Sequence, residues 1–225
     1  MSIKRHIPNA ITSANLVCGC IGIVLCLRGS IEQSVYFIWL AMVFDFFDGF
    51  TARLLKVSSP IGKELDSLAD MVTFGALPAM IMYQLISNVS SHEHLPYIAF
   101  LIAVFSALRL AKFNIDETQS DSFVGVPTPA NALFISSLIF ILPEFTFLNN
   151  TTILVVLTVI CSYWLVMPMR LLALKFKNYS FADNKLRYLF LITSVVLLVF
   201  LQLMALPLII IAYLIFSGIQ LISNK

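Results

Sequence analysis

Long apolar stretches recur along almost the whole of this 225-residue chain and limit the folds open to it. Each is close to the ~20 residues that an α-helix needs to cross a bilayer. Inside a membrane the backbone polar groups must pair with one another, so only helices and closed barrels cross it. Apolar runs of this length favour helices. The stretches cover residues 9–27, 33–54, 66–87, 95–114, 127–148, 150–169, 187–204 and 206–223.

The composition agrees with a polytopic membrane protein. Apolar residues make up 60% of the chain and charged residues 12%, whereas soluble domains average about 45–50% and about 25%. We therefore predict an all-α bundle of about eight transmembrane helices, forming one integral-membrane domain over residues 1–225. The last two stretches meet at Ala205, Leu206 and Pro207, with almost no polar sequence between them. We expect a tight hairpin there, because residues 185–223 are too long for one crossing.

Basic residues collect on one side of the predicted bundle. With eight crossings, all but one of the 14 lysines and arginines fall on the side that also carries both termini, and only Arg28 falls on the other. Cytoplasmic loops of membrane proteins are enriched in Lys and Arg. The pattern therefore predicts cytoplasmic termini in the cell (inner) membrane, and it places residues 45–70 at the cytoplasmic face.

Four aspartates stand in this otherwise apolar region, with Asp45 and Asp48 three apart and Asp66 and Asp70 four apart. On a helix, such spacings put side chains on one face. One aspartate at the centre of a transmembrane helix costs roughly 2.5–3.5 kcal/mol, and clustered carboxylates repel one another unless cations lie between them. The pattern predicts a divalent-metal site at the membrane surface. Two metal ions bridged by carboxylates are a common arrangement for phosphoryl transfer.

Small and basic residues beside the aspartates indicate what the site binds. Gly49 and Gly62 remove side chains next to the acidic face and would let a ligand approach closely. Arg53 lies on nearly the same face and could contact a phosphate. These residues favour a metal-dependent site for a phosphorylated substrate within reach of lipid. Acids inside a membrane also mark ion paths, so a cation transporter is the alternative from another class.

Two further groups of polar residues have two interpretations each. Asn9 and Thr12 could cap the first helix, or they could contact a ligand held by the aspartates. Arg109 opens a second informative region, residues 109–131. It could be a membrane anchor whose side chain reaches the lipid headgroups. It could equally be a clamp for phosphate or carboxylate.

The residues around the aspartates form one pattern, Asp45-x-x-Asp48-Gly49-x-x-Ala52-Arg53, eight residues, Gly62-x-x-x-Asp66-x-x-x-Asp70. This pattern resembles the signature of the CDP-alcohol phosphatidyltransferases. The resemblance implies transfer of a phosphatidyl group from CDP-diacylglycerol to an alcohol, with release of CMP. It implies that the four aspartates hold two divalent ions, Mg²⁺ or Mn²⁺, against the pyrophosphate, and that Asp70 is also the general base. The implied contacts of the CDP-lipid are Asn9, Thr12, Asp48, Gly49, Ala52, Arg53, Gly62 and Asp66.

Three further stretches resemble the members of this family that use serine, namely PNAITSANLVCG, RLAKFN and FVGVPTPAN. Lys112 is a departure, because arginine is more frequent at its place in RLAKFN and lysine lacks the guanidinium fork. The resemblance implies L-serine as the acceptor, with Arg109 or Lys112 binding its carboxylate. The alternative acceptors are glycerol 3-phosphate, inositol or its phosphate, and choline.

The resemblance also indicates the partners of the protein. It suggests a homodimer surrounded by membrane lipids, with no role for nucleic acid. Residues 150–225 contain no motif that identifies a site. We expect them to complete the bundle and to contribute to the dimer contacts.

Overall fold

The computed structural model of the protein describes residues 6–57, 59–115, 124–172, 180–181 and 184–223. Within these ranges the chain forms helices joined by short turns, and its only extended pairing is an isolated bridge between Val124 and Arg170. The all-α prediction is confirmed. In chain order the α-helices are α1 (His6–Leu27), α2 (Ile31–Leu55), α3 (Pro60–Asp70), α4 (Leu77–Val89), α5 (Phe100–Ile115), α6 (Thr128–Ile141), α7 (Thr151–Val166), α8 (Lys185–Leu201) and α9 (Ala205–Ser223).

Several helical segments are long and apolar enough to cross a bilayer, so the chain is a membrane protein. The described residues contain five such segments, His6–Leu27, Ile31–Leu55, Pro60–Val89, Leu95–Ile115 and Lys185–Ile222. Helices α6 and α7 are also apolar but shorter, with 14 and 16 residues. A helix of 14 residues rises about 21 Å, against a hydrocarbon core of about 30 Å. α6 ends at Ile141, before the predicted 127–148 stretch does, because Pro143 has no N–H with which to continue it.

The last apolar segment turns back on itself. Gln202 has a positive φ of 50°, and the 3-10 turn Gln202–Met204 separates α8 from α9. The centre of the Phe190 ring lies 5.6 Å from that of Tyr213 and 6.0 Å from that of Phe216. The two helices therefore pack side by side in opposite directions, and the structure contains the hairpin that the sequence predicts.

Helices α3 and α4 form one continuous rod with an irregular middle. Met71–Ala76 between them form a π-helix, in which the longer hydrogen-bonded turn takes in an extra residue. The hydroxyl of Thr73 in this segment donates a hydrogen bond to the backbone oxygen of Asn15 in α1 (3.2 Å). The rod lies at the centre of the core, since it carries fully buried side chains along much of its length: Phe74, Leu77, Ile81, Met82 and Ile86.

The segment that leads into α6 is held against the end of α7. The backbone N–H of Gly125 donates to the oxygen of Met169 (3.0 Å), and that of Val126 donates to the oxygen of Trp164 (2.9 Å). Gly125 has a φ of +73°, a conformation that favours glycine, and a Cβ atom there would overlap the backbone oxygen of Leu165. Glycine is therefore required at this position by both conformation and space.

We expect Gly125→Ala to lower the free energy of unfolding by about 1–3 kcal/mol, the usual cost of a residue held in an unfavourable backbone conformation. Thermal unfolding of the purified protein in detergent measures this as a lower midpoint. The matched control is Gly218→Ala in α9, where an added Cβ would meet nothing within 4 Å. An unchanged midpoint for Gly125→Ala would show that the described packing of this segment is wrong.

Candidate active site

Three carboxylates from two helices meet at one end of the bundle. Asp45 and Asp48 lie on α2 and Asp66 lies on α3, and one ligand oxygen from each falls within 4.8 Å of the others. Asp48 is buried, with 6% of its surface exposed, and the other two are half-buried. The two pairs of aspartates, each predicted to lie on one helix face, thus contribute three carboxylates to a single cluster.

The sharp reversal between α2 and α3 follows from the local sequence. Lys56 ends α2 in the left-handed conformation, with a φ of 52°, and its N–H bonds to the last carbonyls of the helix. Ser59 then caps α3, because its hydroxyl accepts a hydrogen bond from the N–H of Gly62 (3.0 Å). Pro60 follows at the first helical position, where its missing N–H costs nothing. This short turn brings the two acidic faces together.

The donor set fits a divalent cation. Carboxylate oxygens are the ligands that hard ions such as Mg²⁺ and Mn²⁺ prefer. Oδ1 of Asp66 is buried and has no hydrogen-bond partner among the described residues, and a buried unpaired acceptor is costly unless something else occupies its lone pairs. A cation among Asp45, Asp48 and Asp66 would supply that partner and offset the repulsion between like charges. The cluster could therefore hold a metal ion.

Asp70 stands one helical turn beyond Asp66 and outside the group of three. It is 9% exposed, and its Oδ1 accepts a hydrogen bond from Nδ2 of Asn15 in α1 (3.2 Å). The structure thus brings together three of the four predicted ligands, and the fourth lies outside this group but within electrostatic range of all three. The roles of Asp70 as metal ligand and as general base stay predictions.

A cleft of about 210 Å³ adjoins the acidic cluster. Thr12 lines it and donates a hydrogen bond from its hydroxyl to Oδ2 of Asp48 (2.6 Å). α1 comes close to α3 at Gly62, since a Cβ there would lie 3.0 Å from Oδ1 of Asn9 and from Oγ of Ser59. The full lining is Pro8, Asn9, Thr12, Asp48, Gly49, Ala52, Val57, Ser59, Gly62, Lys63 and Asp66.

All the predicted CDP-lipid contacts except Arg53 are in that lining. Arg53 lies beside it, since a Cβ added at Gly49 would be 3.5 Å from Nη1 of Arg53. Three lining residues, Val57, Ser59 and Lys63, received no role in the sequence analysis. The Ser59-Pro60 pair is a recognisable helix-start signal and could have identified Ser59. Nothing in the local sequence distinguishes Lys63 from the other basic residues near the membrane surface.

The acceptor candidates Arg109 and Lys112 share a second cleft of about 510 Å³. Arg109 is 8% exposed, its Nε has no hydrogen-bond partner among the described residues, and Asp70 lies within electrostatic range of its guanidinium. A buried cation near Asp70 fits an anion clamp better than a headgroup anchor. The rest of the lining is apolar. It comes from residues 109–131 and from the end of α7 with the residues just after it, namely Phe113, Ile115, Val124, Leu165, Val166 and Pro168.

The wall formed by Leu165, Val166 and Pro168 is a contribution that the sequence analysis did not assign. These residues lie at the end of α7 and just beyond it, within residues 150–225. In the sequence they belong to an apolar run, which gives no signal for a site. Part of residues 109–131, namely 116–123, lies outside the described residues.

Comparisons with known proteins agree with this geometry. The sequence model of the family described as CDP-alcohol phosphatidyltransferase matches residues 5–164. Over 129 residues the chain is 42% identical to a CDP-diacylglycerol–serine O-phosphatidyltransferase of Bacillus subtilis, which covers 56% of this chain and 70% of that protein.

Two other relatives carry the same name. The protein of Helicobacter pylori strain J99 is 31% identical over 147 residues, covering 64% of this chain and 62% of the relative. The protein of Methanocaldococcus jannaschii is 36% identical over 129 residues, covering 57% and 58%. The chain thus spans between 58% and 70% of the lengths of these three relatives. Because the family model covers well over half of its residues, this chain belongs to the CDP-alcohol phosphatidyltransferase family.

Proposed function

We propose that the protein transfers the phosphatidyl group of CDP-diacylglycerol to the hydroxyl of L-serine, giving phosphatidylserine and CMP. The observation that carries the proposal is the cluster of Asp45, Asp48 and Asp66 beside a cleft lined by the signature residues. The names of the similar proteins support serine as the acceptor. The buried Arg109, within electrostatic range of Asp70, supports it as well, since a cation is suited to the carboxylate of an amino acid.

In this proposal the aspartates hold two divalent ions, Mg²⁺ or Mn²⁺. Asp45, Asp48 and Asp66 would be the main ligands, and Thr12 orients Asp48 through its hydrogen bond. Bound metal would neutralise the phosphate oxygens and stabilise the departing CMP. The chain itself supplies the position of the ligands, which is set by the short reversal between α2 and α3.

The nucleotide end of the CDP-lipid would occupy the 210 Å³ cleft. Gly49, Ala52 and Gly62 present little or no side chain there and leave room for the cytidine. Asn9 of α1 lines the same cleft beside Gly62 and can hydrogen-bond to a polar edge of the nucleotide. Arg53 and Lys63 at this end supply positive charge for the phosphates.

The acceptor would approach through the other cleft, which contains Arg109 and Lys112. Arg109 binds the serine carboxylate, and Asp70 takes the proton of the serine hydroxyl as its oxygen attacks the phosphorus. Asn15 holds one carboxylate oxygen of Asp70 through its amide and leaves the other for this proton. In this arrangement the acceptor and the nucleotide of the CDP-lipid would occupy two clefts with different lining residues.

The membrane arrangement is part of the same proposal. Eight crossings with cytoplasmic termini would account for the distribution of lysine and arginine, and they would put the site at the cytoplasmic face of the inner membrane. The hairpin of α8 and α9 supports two crossings in the last segment. We further propose a homodimer, with contacts from residues 150–225.

The decisive experiment is an acceptor panel with purified protein. CMP release from CDP-diacylglycerol is measured with serine, glycerol 3-phosphate, inositol, inositol phosphate and choline, each with Mg²⁺, with Mn²⁺ and with EDTA. We expect release with serine only, and none in EDTA. Turnover with another acceptor would replace serine in the proposal. Cation flux into proteoliposomes without any CDP-lipid would instead favour a transporter.

The acceptor role of Arg109 gives a separate prediction. Arg109→Gln should raise the KM for serine at least about tenfold, because a hydrogen-bonded charge is lost, and should leave the KM for CDP-diacylglycerol unchanged. Arg109→Lys keeps the charge but loses the fork, so we expect an intermediate KM. Arg28→Gln, at an exposed arginine after α1, is the control. Equal serine KM values in all three variants and the wild type would remove Arg109 from the acceptor site.

A further inference from the structure

Helix α5 runs antiparallel to the first half of the α3–α4 rod. Ser106 of α5 lies opposite Gly75, where its Cβ would be 3.1 Å from an added glycine Cβ. Further along, Arg109 lies within electrostatic range of Asp70. At its last turn, Asn114 reaches α3 near the start of that helix. The position of Arg109 relative to Asp70 is therefore set by how α5 is held at either side of it.

Asn114 holds that last turn to α3 through three hydrogen bonds. Its side-chain oxygen accepts from the hydroxyl of Ser67 (3.2 Å), and its side-chain nitrogen donates to Oε2 of Glu64 (3.3 Å). Its backbone oxygen accepts from Nζ of Lys63 (2.9 Å). The side-chain amide of Asn114 thus bonds to α3 at two residues, one before and one after Asp66 in the chain.

This bridge lies between the two clefts. Lys63 lines the cleft beside the acidic cluster, whereas Phe113 and Ile115, the chain neighbours of Asn114, line the cleft that contains Arg109. Asn114 itself is not among the residues that line either cleft, so its side chain has no place from which to contact the reacting groups. Its geometric contribution is to keep the end of α5 at a constant distance and rotation from the helix that carries Asp66 and Asp70.

We propose that Asn114 is a positioning residue for the acceptor. By tying the end of α5 to α3, it holds Arg109 opposite Asp70, so that an acceptor bound by the cation meets the aspartate in the correct place. The inference rests on the proposed function, because it assumes that Arg109 binds the acceptor. It concerns a residue that touches neither substrate.

The test measures two kinetic constants and one hydrogen-exchange rate in the variant Asn114→Ala. We expect the KM for the acceptor to rise about tenfold, the equivalent of one or two hydrogen bonds. We expect the KM for CDP-diacylglycerol to stay within twofold of the wild type. Hydrogen–deuterium exchange of residues 109–115 should become faster in the same variant, since the end of α5 opens more often.

A reversed pair provides the rescue. Asn114→Asp alone puts a carboxylate against Glu64 and should raise the acceptor KM as much as the alanine variant does. Adding Glu64→Gln restores the hydrogen bond in the reverse direction, because the new amide at position 64 donates to the new carboxylate at position 114. The double variant should therefore have a KM for the acceptor close to that of the wild type. Asn88→Ala, at an exposed asparagine of α4, is the control and should match the wild type in all constants.

Two outcomes would overturn the proposal. One is an unchanged acceptor KM in Asn114→Ala together with unchanged exchange at residues 109–115. The other is a rise in both KM values to the same extent, which indicates general loss of structure. If the acceptor panel identifies an alcohol other than serine, the same constants are measured with that alcohol. Failure of the serine proposal is thus distinguishable from failure of this one.

Discussion

Asp48→Asn should abolish CMP release and weaken Mn²⁺ binding at the same time. Asp48 is the buried member of the group of three carboxylates and also receives the hydrogen bond of Thr12. Metal in such a site contributes several kcal/mol of transition-state stabilisation, and each 1.36 kcal/mol is tenfold in rate. We therefore expect at least a roughly hundredfold loss of turnover. Electron paramagnetic resonance of added Mn²⁺ measures the binding without any need for activity.

The control for this variant is Glu32→Gln. Glu32 is an acid in the first turn of the same helix, where it accepts a hydrogen bond from the hydroxyl of Tyr36 (2.9 Å). The Glu32→Gln variant should bind Mn²⁺ and release CMP as the wild type does. If Asp48→Asn kept wild-type Mn²⁺ affinity and CMP release, the acidic cluster would not be the metal site.

Asp70→Asn has the second large expected effect. A general base contributes about 10²–10⁴-fold to rate, so the loss of turnover should fall in that range. Asparagine has nearly the same shape as aspartate, so the variant removes the base without changing the packing. Since Asp70 lies outside the group of three carboxylates, we expect a much smaller loss of Mn²⁺ affinity than in Asp48→Asn. The comparison of the two variants in one Mn²⁺ titration measures this difference.

Two results would contradict that assignment in different ways. Near-wild-type turnover in Asp70→Asn would remove Asp70 as the base. A loss of Mn²⁺ affinity as large as that of Asp48→Asn would instead make it mainly a metal ligand. Asn15→Ala, which removes the amide bonded to Asp70, should lower turnover less than Asp70→Asn does, because the carboxylate remains.

Local features of this protein were predictable because they depend on short spacings. The apolar runs predicted the helices, and the aspartates in an apolar region predicted an acidic site, of which Asp45, Asp48 and Asp66 lie together. The resemblance to the CDP-alcohol phosphatidyltransferases is confirmed by the match over residues 5–164. The cleft beside the acids contains the predicted CDP-lipid contacts, with Arg53 at its side.

Features that depend on contacts between distant helices were not predictable. The hydrogen bond to Asp70 comes from Asn15 in α1, which lies 55 positions earlier in the chain. The bridge from Asn114 to α3 joins residues about 50 positions apart, and each partner alone is an ordinary polar residue near a helix end. The apolar wall of Leu165 and Val166 has no signal, because in a membrane protein lipid-facing and site-facing apolar residues look alike.

The π-helical turn Met71–Ala76 has a consequence for how such chains diverge. Successive residues of an α-helix are about 100° apart around the axis, so the extra residue rotates Asp66 and Asp70 by about that angle relative to the buried side chains of α4. Gain or loss of one residue in this turn would redirect the carboxylates although every signature residue was kept. Between two related sequences, a single-residue gap at this place is therefore equivalent to a change in the active site.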